Sequence, residues 1–175
     1  PLGRPITAGF GLIEDGGTAV VEVAEASGLN TVHDEDRDAV AASTYGTGEL
    51  IIAAAATGAE VILVAAGGSA TTDGGAGAIE AIEAGGGLQG AKLVVLCDVR
   101  TPYELAAEVF GPQKGAGPES VVQLTGRLAD NCARLAKDPR GVPMTGAAGG
   151  LAGGLWAQYD ATLVGGAAFV LDALG

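Results

Sequence analysis

Apolar runs of strand length, separated by glycine clusters, set the rhythm of this chain. Residues 18–23, TAVVEV, follow a Gly16-Gly17 turn. Residues 60–66, EVILVAA, and 91–99, AKLVVLCDV, are almost continuously apolar. Short runs of this kind, rich in β-branched residues, predict strands, and the lack of polar alternation predicts a sheet buried on both faces. Between the runs the spacing changes to a helical period. A short helical turn is expected before Gly28, and a helix from about Gly48, with Glu49 in its first turn where a carboxylate meets the positive end of the dipole. A helix starts again at 78–84. Residues 100–110, RTPYELAAEVF, predict a helix with Thr101 as N-cap, Pro102 at the first position and Glu104 closing a capping box. Residues 119–136 predict an amphipathic helix with Val122, Leu124, Leu128 and Leu135 on or near one face. Residues 146–161 form a helical segment crowded with small side chains, and a short strand and a further helix close the chain. Residues 1–12 read as irregular. Strand, loop and helix thus repeat in order, which predicts an α/β fold: a small parallel or mixed sheet flanked by helices, in one compact domain over residues 1–175.

Composition narrows the function. Apolar residues make up 48% of the chain and charged residues 17%, which excludes a disordered segment. The 31 glycines are clustered without a fixed period, which excludes collagen and points to loops that approach a ligand or another backbone closely. The net charge of -12 argues against nucleic-acid partners and against an anionic membrane surface. Each basic side chain is therefore individually informative. No apolar stretch is long enough to span a bilayer. Cys97 and Cys132 have no metal-ligand spacing and read as buried thiols in a reducing, cytoplasmic setting. His33 is the one histidine, in an acidic segment, so neither a histidine-held metal nor a Ser-His-Asp arrangement is supported. Glu22 is an odd carboxylate in an apolar run, since a buried one needs partners.

Three segments carry candidate chemistry. GGSATTDGG, residues 67–75, follows a strand and precedes a helix, the arrangement that aims backbone N–H groups at an anion. Gly67 and Gly68 remove Cβ crowding, Ser69, Thr71 and Thr72 add hydroxyls, and Asp73 adds a carboxylate that either holds magnesium or a substrate hydroxyl, or caps the next helix. The loop is neither GxxxxGK[ST] nor GxGxxG. Asp98 stands at a strand's carboxyl end, as a ligand-facing acid or as part of a capping network with Thr101. In GPQKGA, Lys114 sits on a glycine loop, as a cation for an anionic substrate or as an exposed turn residue. The GAAGG segment at 146–150 has no reactive side chain and must act through packing or backbone hydrogen bonds. The small-residue helix at 146–155 is also a candidate surface for a homo-oligomer.

Taken in order, PLGRPITAGFG (1–11), AVVEVAEASGL (19–29), TYGTGEL (44–50), GGSATTDGGAG (67–77), CDV (97–99), FGPQKGA (110–116), GAAGGLAGGL (146–155) and GAAFVLDALG (166–175) closely resemble the bacterial type I glycerate kinase family, in a form similar to its actinobacterial branch. The resemblance implies transfer of a phosphoryl group from ATP, with magnesium, to D-glycerate, giving mainly 2-phosphoglycerate in a cleft between two α/β domains. It maps the family's loops onto Ser69, Thr71, Asp73, Asp98, Gln113 and Lys114. Asp73, Asp98 and Lys114 are the expected catalytic residues. Gly67, Gly68, Ser69, Thr71 and Gln113 are expected to bind the cofactor, and Asp73 and Asp98 the metal. Family members are roughly twice as long, so the match is to a central portion, with the stretch between Gly77 and Lys92 shorter than usual. The alternative expectation is a truncated α/β domain with a binding or structural role only. A hydroxy-acid reductase is disfavoured because no dinucleotide fingerprint is present.

Overall fold

The structure is a computed structural model that describes residues 1–174. Five strands form one mixed sheet in the order β1-β2-β3-β4-β5. β1 (Gly11–Ile13) pairs antiparallel with β2 (Thr18–Glu22), and β2, β3 (Val61–Ala65), β4 (Lys92–Leu96) and β5 (Thr162–Val164) run parallel. The register aligns Ala19 with Ile62 and Leu93, and Val21 with Val64 and Val95. These six side chains are buried and form the sheet's side of the main core. The helices α2 (Tyr45–Ala55), α3 (Ala76–Ala84) and α6 (Leu151–Tyr159) pack beside one another against that face. Each crossover from β2 to β5 steps to the next strand in the same direction, so connections of one hand deliver their helices to one side. That is why burial on both faces is only partly realised among the described residues. Val20, Val61 and Val94, on the other face, are half-buried, while Leu63 is buried.

α1 (Val23–Ser27) follows β2 directly. A second, smaller apolar cluster lies beyond the sheet's carboxyl end, where α4 (Ala106–Phe110) meets α5 (Pro118–Cys132) around the fully buried Tyr103. α7 (Gly166–Leu174) closes the described chain. No helix among the described residues is long and apolar enough to cross a membrane.

Several local expectations are revised. β1 lies in a segment read as irregular; three exposed residues carry no alternation long enough to see. Glu22 is exposed at the end of β2 and needs no buried partner. α2 begins at Tyr45, which moves Glu49 out of its first turn. The capping box at 101–104 does not form: Pro102 is extended, Tyr103–Leu105 is a 3-10 turn, and the Glu104 carboxylate accepts the Gly141 N–H instead. α5 ends at Cys132 and buries Leu124, Leu128 and Cys132, spaced four apart, while Val122 is 73% exposed. The segment at 146–161 is a strained 3-10 turn, Ala147–Gly150, followed by α6. Residues 146–155 are buried inside the chain itself and leave no free face for an interface with a second copy.

Candidate functional site

The site grows from the end of β3. After Ala65 the chain enters the glycine loop, where Gly68 takes a left-handed φ of +63°. The loop is tied sideways to the segment after α1: the Leu29 N–H donates to the Gly68 carbonyl at 2.8 Å and the Ala70 N–H to the Ser27 carbonyl at 2.8 Å. Gly67 and Gly68 remain exposed, and Ser69 through Asp73 are buried. The Thr71 and Thr72 hydroxyls are buried without a hydrogen-bond partner among the described residues, an uncommon state for such groups.

Lys114 enters from the opposite side. It sits on the 3-10 turn Pro112–Lys114, held by Gly115 at φ +90°, where a Cβ would stand 2.9 Å from the Arg37 carbonyl. Far from being an exposed turn residue, Lys114 is 2% exposed. Its Nζ donates to Ser69 Oγ at 2.9 Å and to the Thr71 carbonyl at 2.5 Å. Burial disfavours the ammonium and lowers its pKa to about 8, with the Asp73 charge pulling the other way.

Ser69, Lys114, Gln113, Gly67 and Gly68 line a cavity of about 170 Å³, whose apolar wall includes Val99, Phe110 and Ala148. Ala148 is a non-glycine residue at φ +51°, followed by Gly149 and Gly150, also left-handed. Strain of this kind is held only where its surroundings over-determine it. Here the cause is close packing: a Cβ on Gly149 would lie 2.0 Å from the Thr71 carbonyl. The GAAGG segment therefore acts through backbone approach, pressed against the loop that Lys114 braces from the other side. A larger cavity of about 320 Å³ between α3, α5 and α6 includes none of Ser69, Gln113 or Lys114.

The two acids behave differently from Lys114. Asp73 is 6% exposed. Its Oδ2 accepts the Thr44 N–H (2.8 Å), the Thr44 hydroxyl (2.9 Å) and the Gly77 N–H (3.2 Å), and its Oδ1 accepts the Gly75 N–H (3.1 Å). The carboxylate thus joins the glycine loop to the starts of α2 and α3, and both of its oxygens accept from protein donors. Asp98 is exposed, and its Oδ1 accepts the Ala167 N–H at 2.9 Å, at the start of α7 rather than in a network with Thr101. No group of three His, Cys, Asp or Glu side chains among the described residues is placed to hold a metal ion.

Gln113 is exposed, and its carbonyl accepts from Arg37 Nη1 at 3.4 Å. Sequence reasoning passed over Arg37 within its acidic segment; one basic residue amid four acids was the available signal. It also missed Tyr103, whose hydroxyl donates to the Gly74 carbonyl at 3.3 Å from beneath the loop.

Comparison with known proteins places these features in a family. The sequence matches the model of the glycerate kinase family over residues 1–87 and 83–175, two blocks that meet at the α3–β4 turn. It is 39% identical over 208 residues to a glycerate kinase of Halalkalibacterium halodurans and 37% identical over 209 residues to a glycerate 2-kinase of Escherichia coli K12, in each case covering 99% of this chain and 55% of the relative. A crystal structure described as glycerate kinase 2 from Salmonella typhimurium LT2 superposes with a TM-score of 0.90 at 37% identity, covering 99% of this chain and 56% of the other. The chain spans about half the length of the curated relatives it matches. With its whole described length matched, and its fold shared with a solved relative, the chain belongs to the glycerate kinase family.

Proposed function

We propose that the protein transfers a phosphoryl group from ATP to D-glycerate, forming 2-phosphoglycerate, and that the cavity at Lys114 receives the anionic acceptor. The observation that carries this reading is the buried ammonium. A protonated lysine has three donors, and the Ser69 hydroxyl and the Thr71 carbonyl take two. The third is left for an anionic oxygen in a cavity of about 170 Å³, a size suited to a three-carbon acid.

In phosphoryl transfer the protein's work is positioning and charge neutralisation. Lys114 orients the acceptor and offsets negative charge that develops beside it. Gly67 and Gly68, exposed at the carboxyl end of β3, let phosphate oxygens approach the backbone, and Gln113 stands at the rim. Thr71 and Thr72 supply uncommitted hydroxyls to the same loop.

Magnesium fits one acid and not the other. Asp98 has one oxygen without a protein partner among the described residues and is solvent-facing, as a carboxylate must be to hold magnesium together with substrate phosphates. Asp73 is buried and both of its oxygens already accept from protein donors, so no step is assigned to a metal on it. When bound, magnesium neutralises charge on the transferring phosphoryl oxygens. The buried free thiols Cys97 and Cys132 support a reducing, cytoplasmic setting.

Phosphorus NMR of the protein with ATP, magnesium and D-glycerate tests the reading. A resonance of 2-phosphoglycerate that collapses in Lys114→Ala is the expected result. Consumption of ATP without a phosphoglycerate resonance would exclude glycerate as the acceptor.

A further inference from the structure

Ser69 and Lys114 form a close, buried pair. The nitrogen and the hydroxyl oxygen are 2.9 Å apart, both side chains are almost fully buried, and both line the same cavity. The nitrogen is anchored a second time, on the Thr71 carbonyl. A nucleophile within hydrogen-bond reach of a base, with the base oriented by a third group, is the arrangement that activates serine in covalent catalysis, and lysine serves as the base in known variants. With Lys114 neutral, one N–H stays on Thr71 and the nitrogen lone pair faces the Ser69 hydroxyl. GGSAT lacks the GxSxG context by which such a serine is recognised in sequence, and the lysine lies 45 positions away, so only the fold discloses the pair.

We propose that Ser69 is an activated nucleophile, with Lys114 as its base, that accepts acyl groups from small esters entering this cavity. The Ser69 oxygen adds to the ester carbonyl while its proton passes to Lys114 Nζ. The carbon–oxygen bond to the alcohol then breaks, and the alcohol leaves with the proton from Lys114. Water, deprotonated in turn by Lys114, attacks the acyl-serine, releases the acid and restores Ser69. Val99, Phe110 and Ala148 form an apolar wall that suits a short acyl chain, and the exposed Gly67 and Gly68 leave the mouth open for the alcohol. The fall of the lysine pKa to about 8 supports a usable neutral fraction above neutral pH. Asp73 is the charge that opposes this fall, and Arg37 is the cation beside the Lys114 turn. The inference goes beyond the kinase reading and needs neither nucleotide nor glycerate.

The test uses p-nitrophenyl acetate, following nitrophenolate release and mapping acetylated peptides by mass spectrometry, with circular dichroism as the check of folding. The wild type acquires a hydroxylamine-labile acetyl group on Ser69, at a rate that rises with pH about a midpoint near 8. Lys114→Met slows this by about 10²-fold or more, the usual contribution of a positioned base. In Ser69→Cys, the new thiol takes the acetyl group. Acetylation confined to lysines, Lys114 included, would overturn the proposal. So would a Ser69 adduct formed equally fast in Lys114→Met, or a folded Ser69→Cys protein that stays unmodified. Because no glycerate is present, each of these results is separate from the fate of the kinase reading.

Discussion

Asp73→Asn distinguishes a carboxylate that builds the loop from one that holds a metal. The native group receives three donors on Oδ2 and one on Oδ1, all in buried surroundings. Asparagine keeps the shape but turns one acceptor into an amide donor. With its carbonyl in the Oδ2 position, the new NH2 faces the Gly75 N–H; flipped, it faces the Thr44 and Gly77 N–H groups. In the better orientation one buried N–H is stranded, at about 1–3 kcal/mol. The other bonds lose their charge assistance, about half their strength. The favourable interaction of the carboxylate with the start of α3 goes as well, at about 0.3–1 kcal/mol. The sum is on the order of 4 kcal/mol, a large fraction of a domain's stability. Urea denaturation followed by circular dichroism reads this as a clear drop in midpoint with little change in slope. A variant within about 0.5 kcal/mol of the wild type that nevertheless loses magnesium-dependent turnover would refute the reasoning and restore Asp73 as a ligand.

Gly149→Ala should be among the most damaging single-methyl additions, because the new Cβ meets the Thr71 carbonyl at 2.0 Å and the backbone is at φ +66°; thermal unfolding should show a loss of about 2 kcal/mol or more. Lys114 binds its proton less tightly when folded than when unfolded, so between about pH 8 and the unfolded value of 10.5 the unfolded chain carries more protons and stability rises with pH. Denaturation at several pH values should show the stability of the wild type rising relative to that of Lys114→Met by on the order of 3 kcal/mol across this window, while the opposing titration of the buried Cys97 thiol and of Tyr159 is common to both proteins and cancels in the difference. Burial pushes the Cys97 thiol up to about 11, so iodoacetamide should leave Cys97 unmodified in the native protein near neutral pH and label it after unfolding.

The parallel sheet and the position of the glycine loop were legible because each rests on local pattern. Residues 60–66 are an apolar run of strand length, and the polar, glycine-rich stretch after it has nowhere to go but the strand's carboxyl end. What pattern could not supply is which polar groups face each other. Asp73 was a candidate metal ligand because its partners, the Thr44 N–H and hydroxyl, lie 29 positions away. The capping box at Thr101 does not form because the chain is extended at Pro102, and the Glu104 carboxylate accepts instead from Gly141, across 37 positions. Lys114 could be picked out as one of few cations on a glycine turn, yet its burial depends on Ser69 and Thr71, which reach it only once β3 and the α4–α5 connection are folded together. The strained GAAGG turn was legible only as a segment that must work through its backbone; that Gly149 abuts the Thr71 carbonyl is a product of tertiary packing.

In the proposed reaction the buried ammonium of Lys114 holds the anionic acceptor. Calorimetric titration of D-glycerate into the folded chain near neutral pH tests it most directly, with Lys114→Met in parallel. Saturable binding by the wild type that is lost in the variant is the predicted result. Equal affinity in both proteins would contradict the claim and move the glycerate site away from this cavity.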